Sequence, residues 1–259
     1  MKYLFFFLIT LIHVKIGFAQ KRNGNQLTKT PNIIYIYADD LGYGELGANG
    51  QTKIKTPHLD RLAKEGMRFT QHYSGAPVCA PSRAMLMTGK HSGHVAIRGN
   101  FELGGFKDEE ERGQMPLPAE EITIAELLKR KGYATALIGK WGLGMADTHG
   151  SPSRQGFDYY YGVLDQKQAH NFYPSHLWEN DQWDTLPQPW LNVHKKLDPI
   201  TASDADFEYF KGTVYAPQKM TEKALQFIER NQENPFFLYM PYTLPHVSLQ
   251  VPDEYVARY

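Results

Sequence analysis

The chain has 259 residues and a formal net charge of zero at pH 7, because 28 Lys and Arg balance 28 Asp and Glu. This balance gives no global electrostatic case for binding nucleic acid or an anionic membrane, so we expect neither as a partner. The single cysteine excludes an intramolecular disulfide framework. The length is sufficient for one large α/β domain or two small domains.

The N-terminal residues 1–19 are typical of a secretory signal peptide. A basic start precedes an apolar segment over residues 4–14, and small residues stand one and three positions before Gln20. Because Lys15 interrupts the apolar segment before it reaches spanning length, we expect cleavage rather than a membrane anchor. The mature protein is therefore predicted to be exported, periplasmic or secreted, with no integral membrane span. Residues 20–30 are polar and predict a flexible leader.

A continuous apolar and β-rich run over residues 33–38 predicts a central strand, buried on both faces of a parallel sheet. Asp39 and Asp40 follow directly, at the place where open α/β sheets bind their ligands. Two adjacent carboxylates on a glycine-rich loop suit a hard cation such as Ca²⁺ or Mg²⁺. They also suit a solvated turn, and the local pattern does not decide between the two.

Further helices and strands alternate along the chain. Helices are predicted over 56–66, 122–131 and 218–230, and strands over 67–73, 133–139 and 236–240. This order predicts an α/β fold with a mostly parallel sheet sandwiched by helices. Lys140 and His246 each lie at or beyond the carboxyl end of a predicted strand, as Asp39 does. Residues 181–210 have weak periodicity and predict a long surface excursion.

The segment from Cys79 to Gly89 predicts the start of a helix around the only cysteine. Pro81 suits the first turn, residues 84–87 favour helix and Gly89 can end it. Cys79 would then lie at the helix N-terminus, where free N–H groups favour a bound anion and a thiolate. Arg83 adds a planar cation suited to sulfate or phosphate. Taken alone, Cys79 also fits a small buried hydrophobic residue.

The pattern C-x-P-S-R-x4-T-G from Cys79 to Gly89 resembles the signature of the formylglycine-dependent sulfatases. Segments around Asp39, Lys140 and His246 resemble further landmarks of this family, in the same order. The resemblance implies the alkaline-phosphatase-like α/β fold, truncated before its C-terminal part. Because the family continues with an Asp-Asn metal pair and a second lysine, we expect residues 31–259 to form an incomplete and poorly stable part of the catalytic domain.

The resemblance also implies a matured nucleophile and a metal. Cys79 would be converted to formylglycine by a formylglycine-generating or sulfatase-maturing enzyme, and one oxygen of the hydrated aldehyde would attack sulfur. Asp39, Asp40 and the matured Cys79 would surround Ca²⁺, with Mg²⁺ as the alternative. The expected activity is hydrolysis of sulfate esters in a sulfated glycan or an aryl sulfate.

Three other positions acquire roles from the same resemblance. Arg83 and Lys140 would neutralise the sulfate oxygens, and His246 would protonate the leaving alcohol. In the segment K-W-G-L-G that starts at Lys140, Gly142 stands where the family has histidine. This difference removes one expected hydrogen bond to the nucleophile.

His94, His170 and Asn171 are additional candidate substrate contacts, because they lie in loops over the predicted sheet. Each of them also fits a packed or solvated loop. Two other functions stay open at this point. One is an inactive fragment or sulfated-glycan binding module, and the other is a phosphatase or phosphodiesterase of the same superfamily. The latter enzymes typically use Ser or Thr as nucleophile, so Cys79 argues against them.

Overall fold

The computed structural model describes residues 30–101, 103, 113–247 and 250–259. The predicted signal peptide, and the predicted leader up to residue 29, lie outside the described residues. The described chain from Pro31 onward forms one compact unit that ends at Tyr259. No helix among the described residues is both long and apolar enough to cross a membrane.

Six strands of the described chain form one sheet in the order β1-β6-β2-β3-β4-β5. The strands are β1 (Ile33–Tyr37), β2 (Ala134–Lys140), β3 (Tyr159–Val163), β4 (His176–Glu179), β5 (Gln182–Thr185) and β6 (Phe236–Pro241). From β1 to β3 the neighbouring strands are parallel, whereas β4 and β5 continue the sheet in antiparallel pairing. The predicted mostly parallel sheet is therefore confirmed.

The described residues contain six α-helices. They are α1 (Pro57–Glu65), α2 (Cys79–Thr88), α3 (Ile124–Lys129), α4 (Asp204–Phe207), α5 (Ala216–Asn231) and α6 (Asp253–Val256). One buried cluster joins Ala84 of α2 and Ala125 of α3 to Leu137, Phe237 and Tyr239. A second cluster joins Met220 and Ala224 of α5 to Ala136, Ile138 and Leu238. Successive residues of β2 and β6 thus enter different clusters, as the alternation of side chains in a strand requires.

The prediction that the first strand is central and buried on both faces is wrong. Within the described residues β1 lies at the edge of the sheet, and Ile34 and Ile36 are 48% and 59% exposed. Apolar composition indicates that a strand can be buried on both faces, but burial requires an element that packs on each face. The described chain supplies such an element on only one face of β1.

One other predicted element also differs from the structure. Residues 67–73 form no strand, because extended backbone becomes a strand only when a neighbouring strand pairs with it. The side chains of Met67, Phe69 and Tyr73 are exposed. Residues 181–210 are mostly exposed, as predicted for a surface excursion, and they contain β5 and α4.

The parallel strands deliver their loops to one edge of the sheet. Asp39 follows β1, Lys140 ends β2, and the loop that contains His246 follows β6. The Asp39 N–H donates to the carbonyl of Leu244 at 2.8 Å, which ties the loop after β1 to the loop after β6. This edge is where ligands bind in open α/β sheets.

Candidate active site

Helix α2 presents Cys79 at its first position. Val78 is the extended N-cap residue, and Gly89 ends the helix in the left-handed conformation, with φ of 68°. The side-chain oxygen Oδ1 of Asn100 accepts the Ala80 N–H at 2.8 Å, so one of the free N–H groups of the first turn is already satisfied. The predicted helix from Cys79 to Gly89 is confirmed.

Asp39, Arg83 and Lys140 form a buried ionic centre beside this helix start. Asp39 Oδ2 accepts from Lys140 Nζ at 2.8 Å, and Asp39 Oδ1 accepts from Arg83 Nη2 at 3.2 Å. Arg83 Nη1 also donates to the Lys140 carbonyl at 2.8 Å. The side chains of Asp39, Arg83 and Lys140 are 6%, 1% and 0% exposed. Charges this deeply buried are stable only because they are paired.

Electrostatics keep Asp39 ionised in this environment. Burial alone would raise the pKa of the Asp39 carboxyl, but the positive charges of Lys140 and Arg83 outweigh it and lower that pKa below its ordinary value. The centre thus contains one carboxylate and two cations. Its surplus of positive charge favours an anion.

Cys79 reaches this centre from the N-terminal end of α2. Its Sγ lies 3.6 Å from Asp39 Oδ1. Asp39, Cys79 and His246 each offer one ligand atom, and these atoms lie within 4.8 Å of one another, which is close enough to hold a metal ion. A cavity of about 270 Å³ opens at this point, and its lining includes Tyr37, Asp39, Asp40, Cys79, Ser82 and Arg83.

Asp40 and three histidines form an outer layer that we call the histidine rim: Asp40, His170, His194 and His246. His246 Nε2 lies 3.4 Å from Asp40 Oδ2. The His246 ring stacks on His170 with the ring centroids 4.2 Å apart and the planes at 11°. His170 Nδ1 lies 3.1 Å from His194 Nε2. The rim therefore joins loops that are far apart in sequence.

The surroundings of His170 disfavour a positive charge on its ring. Burial, together with the charges of Lys140, His246 and His194, lowers the pKa of His170 to about 3. His170 is therefore a neutral imidazole at physiological pH. A neutral ring stacks on His246 without the repulsion that two imidazolium ions would suffer.

The remaining sequence candidates are not all part of this arrangement. Asn171 is 3% exposed, and its side-chain oxygen accepts the Tyr173 N–H at 2.9 Å, which is a local structural bond. His94 follows the far end of α2, and its ring packs against His91. His194 lies in a segment without a motif, so only its contact with His170 identifies it as part of the rim.

A protein-family model and several known proteins match this chain. A family model described as Sulfatase matches residues 31–259. Arylsulfatase G of Mus musculus is 35% identical over 254 residues, which cover 88% of this chain and 44% of that protein. Steryl-sulfatase of Homo sapiens is 46% identical over 138 residues, covering 51% of this chain and 23% of that protein. The chain thus spans less than half the length of these relatives.

Solved structures show the same likeness in three dimensions. The crystal structure of Ps i-CgsB has a TM-score of 0.70 and 31% identity, covering 89% of this chain and 48% of that one. Its complex with k-i-k-neocarrahexaose gives the same values. The structure of BT4656 in complex with its substrate D-glucosamine-2-N,6-O-disulfate has a TM-score of 0.63 and 26% identity, covering 89% of this chain and 37% of that one.

Proposed function

Because the chain belongs to the sulfatase family, we propose that the protein hydrolyses sulfate esters of carbohydrates, with Cys79 as the precursor of its nucleophile. The observation that carries the proposal is the position of Cys79, at the start of α2 and beside the buried ionic centre. A sulfated carbohydrate is supported by BT4656, whose printed substrate is D-glucosamine-2-N,6-O-disulfate. An aryl sulfate remains the second substrate class.

Arg83 and Lys140 would bind and neutralise the sulfate group. Both side chains are buried, and both already contact Asp39, so they are held before substrate arrives. Charges held in a low-dielectric site stabilise a transition state more strongly than the same charges in water. The guanidinium of Arg83 additionally presents a planar fork that matches tetrahedral oxyanions.

Residue 79 would act after maturation to formylglycine by a formylglycine-generating or sulfatase-maturing enzyme. The matured side chain would supply a hydrated aldehyde as the nucleophile in place of the thiol. Cys79 lies at the helix N-terminus, where the N–H groups stabilise a developing negative charge. Asp39 is close enough to orient the group at this position.

Asp39 and Asp40 would hold a divalent cation, which we propose to be Ca²⁺ or, alternatively, Mg²⁺. The fit is supported by the carboxylate of Asp39 beside Cys79, because carboxylate oxygens are the donors that hard cations prefer. When bound, the cation would supply Lewis acidity. Lys140 and Arg83 also contact the two oxygens of Asp39.

His246 would protonate the leaving alcohol from Nε2. Its Nδ1 lies 2.5 Å from the carbonyl oxygen of Val247, and since a carbonyl only accepts, Nδ1 must carry a proton. The exchangeable proton is therefore the one on Nε2, the atom that faces Asp40.

The cellular context belongs to the same proposal. An exported protein, periplasmic or secreted, would meet extracellular sulfated glycans. The support is the N-terminal sequence, in which an apolar segment ends before small residues that precede Gln20.

The decisive experiment is mass spectrometry of the Cys79 peptide after co-expression with a maturase, paired with turnover of 4-nitrophenyl sulfate. We expect formylglycine at position 79 and turnover that disappears in Cys79→Ala. The matched control is the same chain expressed without the maturase, which should retain cysteine and lack turnover. Full turnover with unmodified cysteine would contradict the mechanism. Binding of a sulfated glycan without turnover by the matured protein would instead favour a binding module.

A further inference from the structure

Gly142 lies at a crowded position two residues beyond Lys140. Its φ is 72°, and a Cβ at this position would lie 1.8 Å from the side-chain nitrogen Nε2 of Gln166. Position 142 therefore accepts no side chain while Gln166 keeps its present place. The amide of Gln166, which lies in the segment after β3, fills the space next to the Gly142 backbone.

Gln166 is buried and points its amide at the segment that carries Lys140. It is 6% exposed, and its Nε2 donates to the Gly142 carbonyl at 3.3 Å. The Trp141 and Gly142 N–H groups donate to the carbonyls of Val163 and Leu164 at 2.9 Å and 3.0 Å. The side-chain bond of Gln166 thus continues the β2–β3 pairing beyond the last backbone bond.

Gln114 supports Gln166 from the opposite side. The Gln166 N–H donates to Gln114 Oε1 at 3.2 Å, and Gln114 is itself 2% exposed. Gln166 Oε1 and Gln114 Nε2 are both buried and find no partner among the described residues. Each of the two side chains therefore has one polar atom that is bonded and one that is not among the described residues.

We propose that Gln166 is a positioning residue for Lys140 and that Gly142 is required to admit its amide. Lys140 contributes to the site through both its ammonium, which contacts Asp39, and its carbonyl, which accepts from Arg83. The backbone that follows it must therefore stay in place. The inference rests on the proposed function, because it concerns the group that binds sulfate.

The first test is a melting-temperature cycle on the full chain with Gly142→Ala, Gln166→Ala and the double variant. Gln166→Ala should lower the melting temperature in the wild-type background, because the Gly142 carbonyl loses its partner. The same change should raise it in the Gly142→Ala background, because it removes the atom that Cβ would meet. The same sign in both backgrounds would overturn the inference.

The second test measures inorganic sulfate binding by calorimetry. Gln166→Met keeps the volume but loses the bond, and we expect sulfate affinity to fall about tenfold, which corresponds to a small displacement of Lys140. The control is Gln188→Met, since Gln188 is equally buried and bonds the carbonyls of Pro174 and Val214 instead. It should lose stability without losing sulfate affinity.

The two tests separate this inference from the proposed function. Equal sulfate affinity in wild type and Gln166→Met would overturn the positioning role while the sulfatase activity stands. Absence of sulfate binding in the wild-type chain would count against the proposed function. The melting-temperature cycle would still test whether the amide of Gln166 requires glycine at position 142.

Discussion

The buried ionic centre and the histidine rim lie side by side but are built in different ways. The centre takes Asp39 and Lys140 from the ends of parallel strands and Arg83 from a helix, and all three are almost completely buried. The rim is assembled from loops, and the side chain of Asp40 is 61% exposed although Asp39 precedes it directly. Two consecutive aspartates thus belong to regions with different dielectric environments.

This difference separates two tasks. Groups in the centre are held by strong, desolvated contacts and suit charge stabilisation, which needs no rearrangement during the reaction. Groups in the rim are partly hydrated and lie on connecting segments, where substrate specificity is usually located. We therefore expect changes in the centre to affect stability and turnover together, and changes at His170 or His194 in the rim to affect chiefly substrate binding.

The largest expected effect separates Asp39 from Asp40. Asp39→Asn should lower the free energy of unfolding by about 3–5 kcal/mol, because it leaves two buried cations without a counter-charge. Asp40→Asn should change it by about 0.5 kcal/mol or less, since Asp40 is exposed and asparagine tolerates its φ of 62°. Urea denaturation of both variants measures the difference, and equal losses would remove the distinction between centre and rim.

Acidification should test the rim through His170. The folded pKa of about 3 lies below the ordinary value of 6.5, so the unfolded chain takes up this proton first. The neutral, buried His170 therefore contributes fully to stability above pH 6.5, and this contribution is lost as the pH falls from there toward 3. Between pH 7 and pH 5 we expect a loss of roughly 1 kcal/mol, after allowing for solvent screening.

His170→Asn should flatten this part of the stability profile, measured by urea denaturation at several pH values. His94→Asn is the matched control, because His94 is exposed and lies outside the rim. If both variants keep the wild-type slope between pH 7 and pH 5, the buried neutral state of His170 is contradicted.

The smallest expected effect concerns His194. His194→Ala removes the imidazole next to His170 Nδ1, and we expect KM for a sulfated oligosaccharide to rise about threefold while the free energy of unfolding changes by about 0.5 kcal/mol or less. His149→Ala changes another exposed histidine and should alter neither quantity. A fall in kcat without a change in KM would place His194 with the centre rather than the rim.

Much of the site was predictable because its residues follow elements with clear local signals. Asp39 and Lys140 come after apolar β-rich runs, and the carboxyl ends of parallel strands meet at one edge. Cys79 precedes a run with strong helix signals, and Gly89 ends it as predicted. His194 had no such signal, since a histidine in an irregular segment has no local feature that identifies its neighbours.

The sequence by itself determined the family, the alternation of helices and strands, and the residues at the strand ends, because these depend on local pattern and motif. Only the tertiary structure decided that β1 has an uncovered face, that the side chains of Asp39 and Asp40 occupy different environments, and that Gln166 fills the space beside Gly142. The physical reason is that burial and pairing are properties of contacts between distant segments. No pattern within one segment specifies which atoms another segment will bring against it.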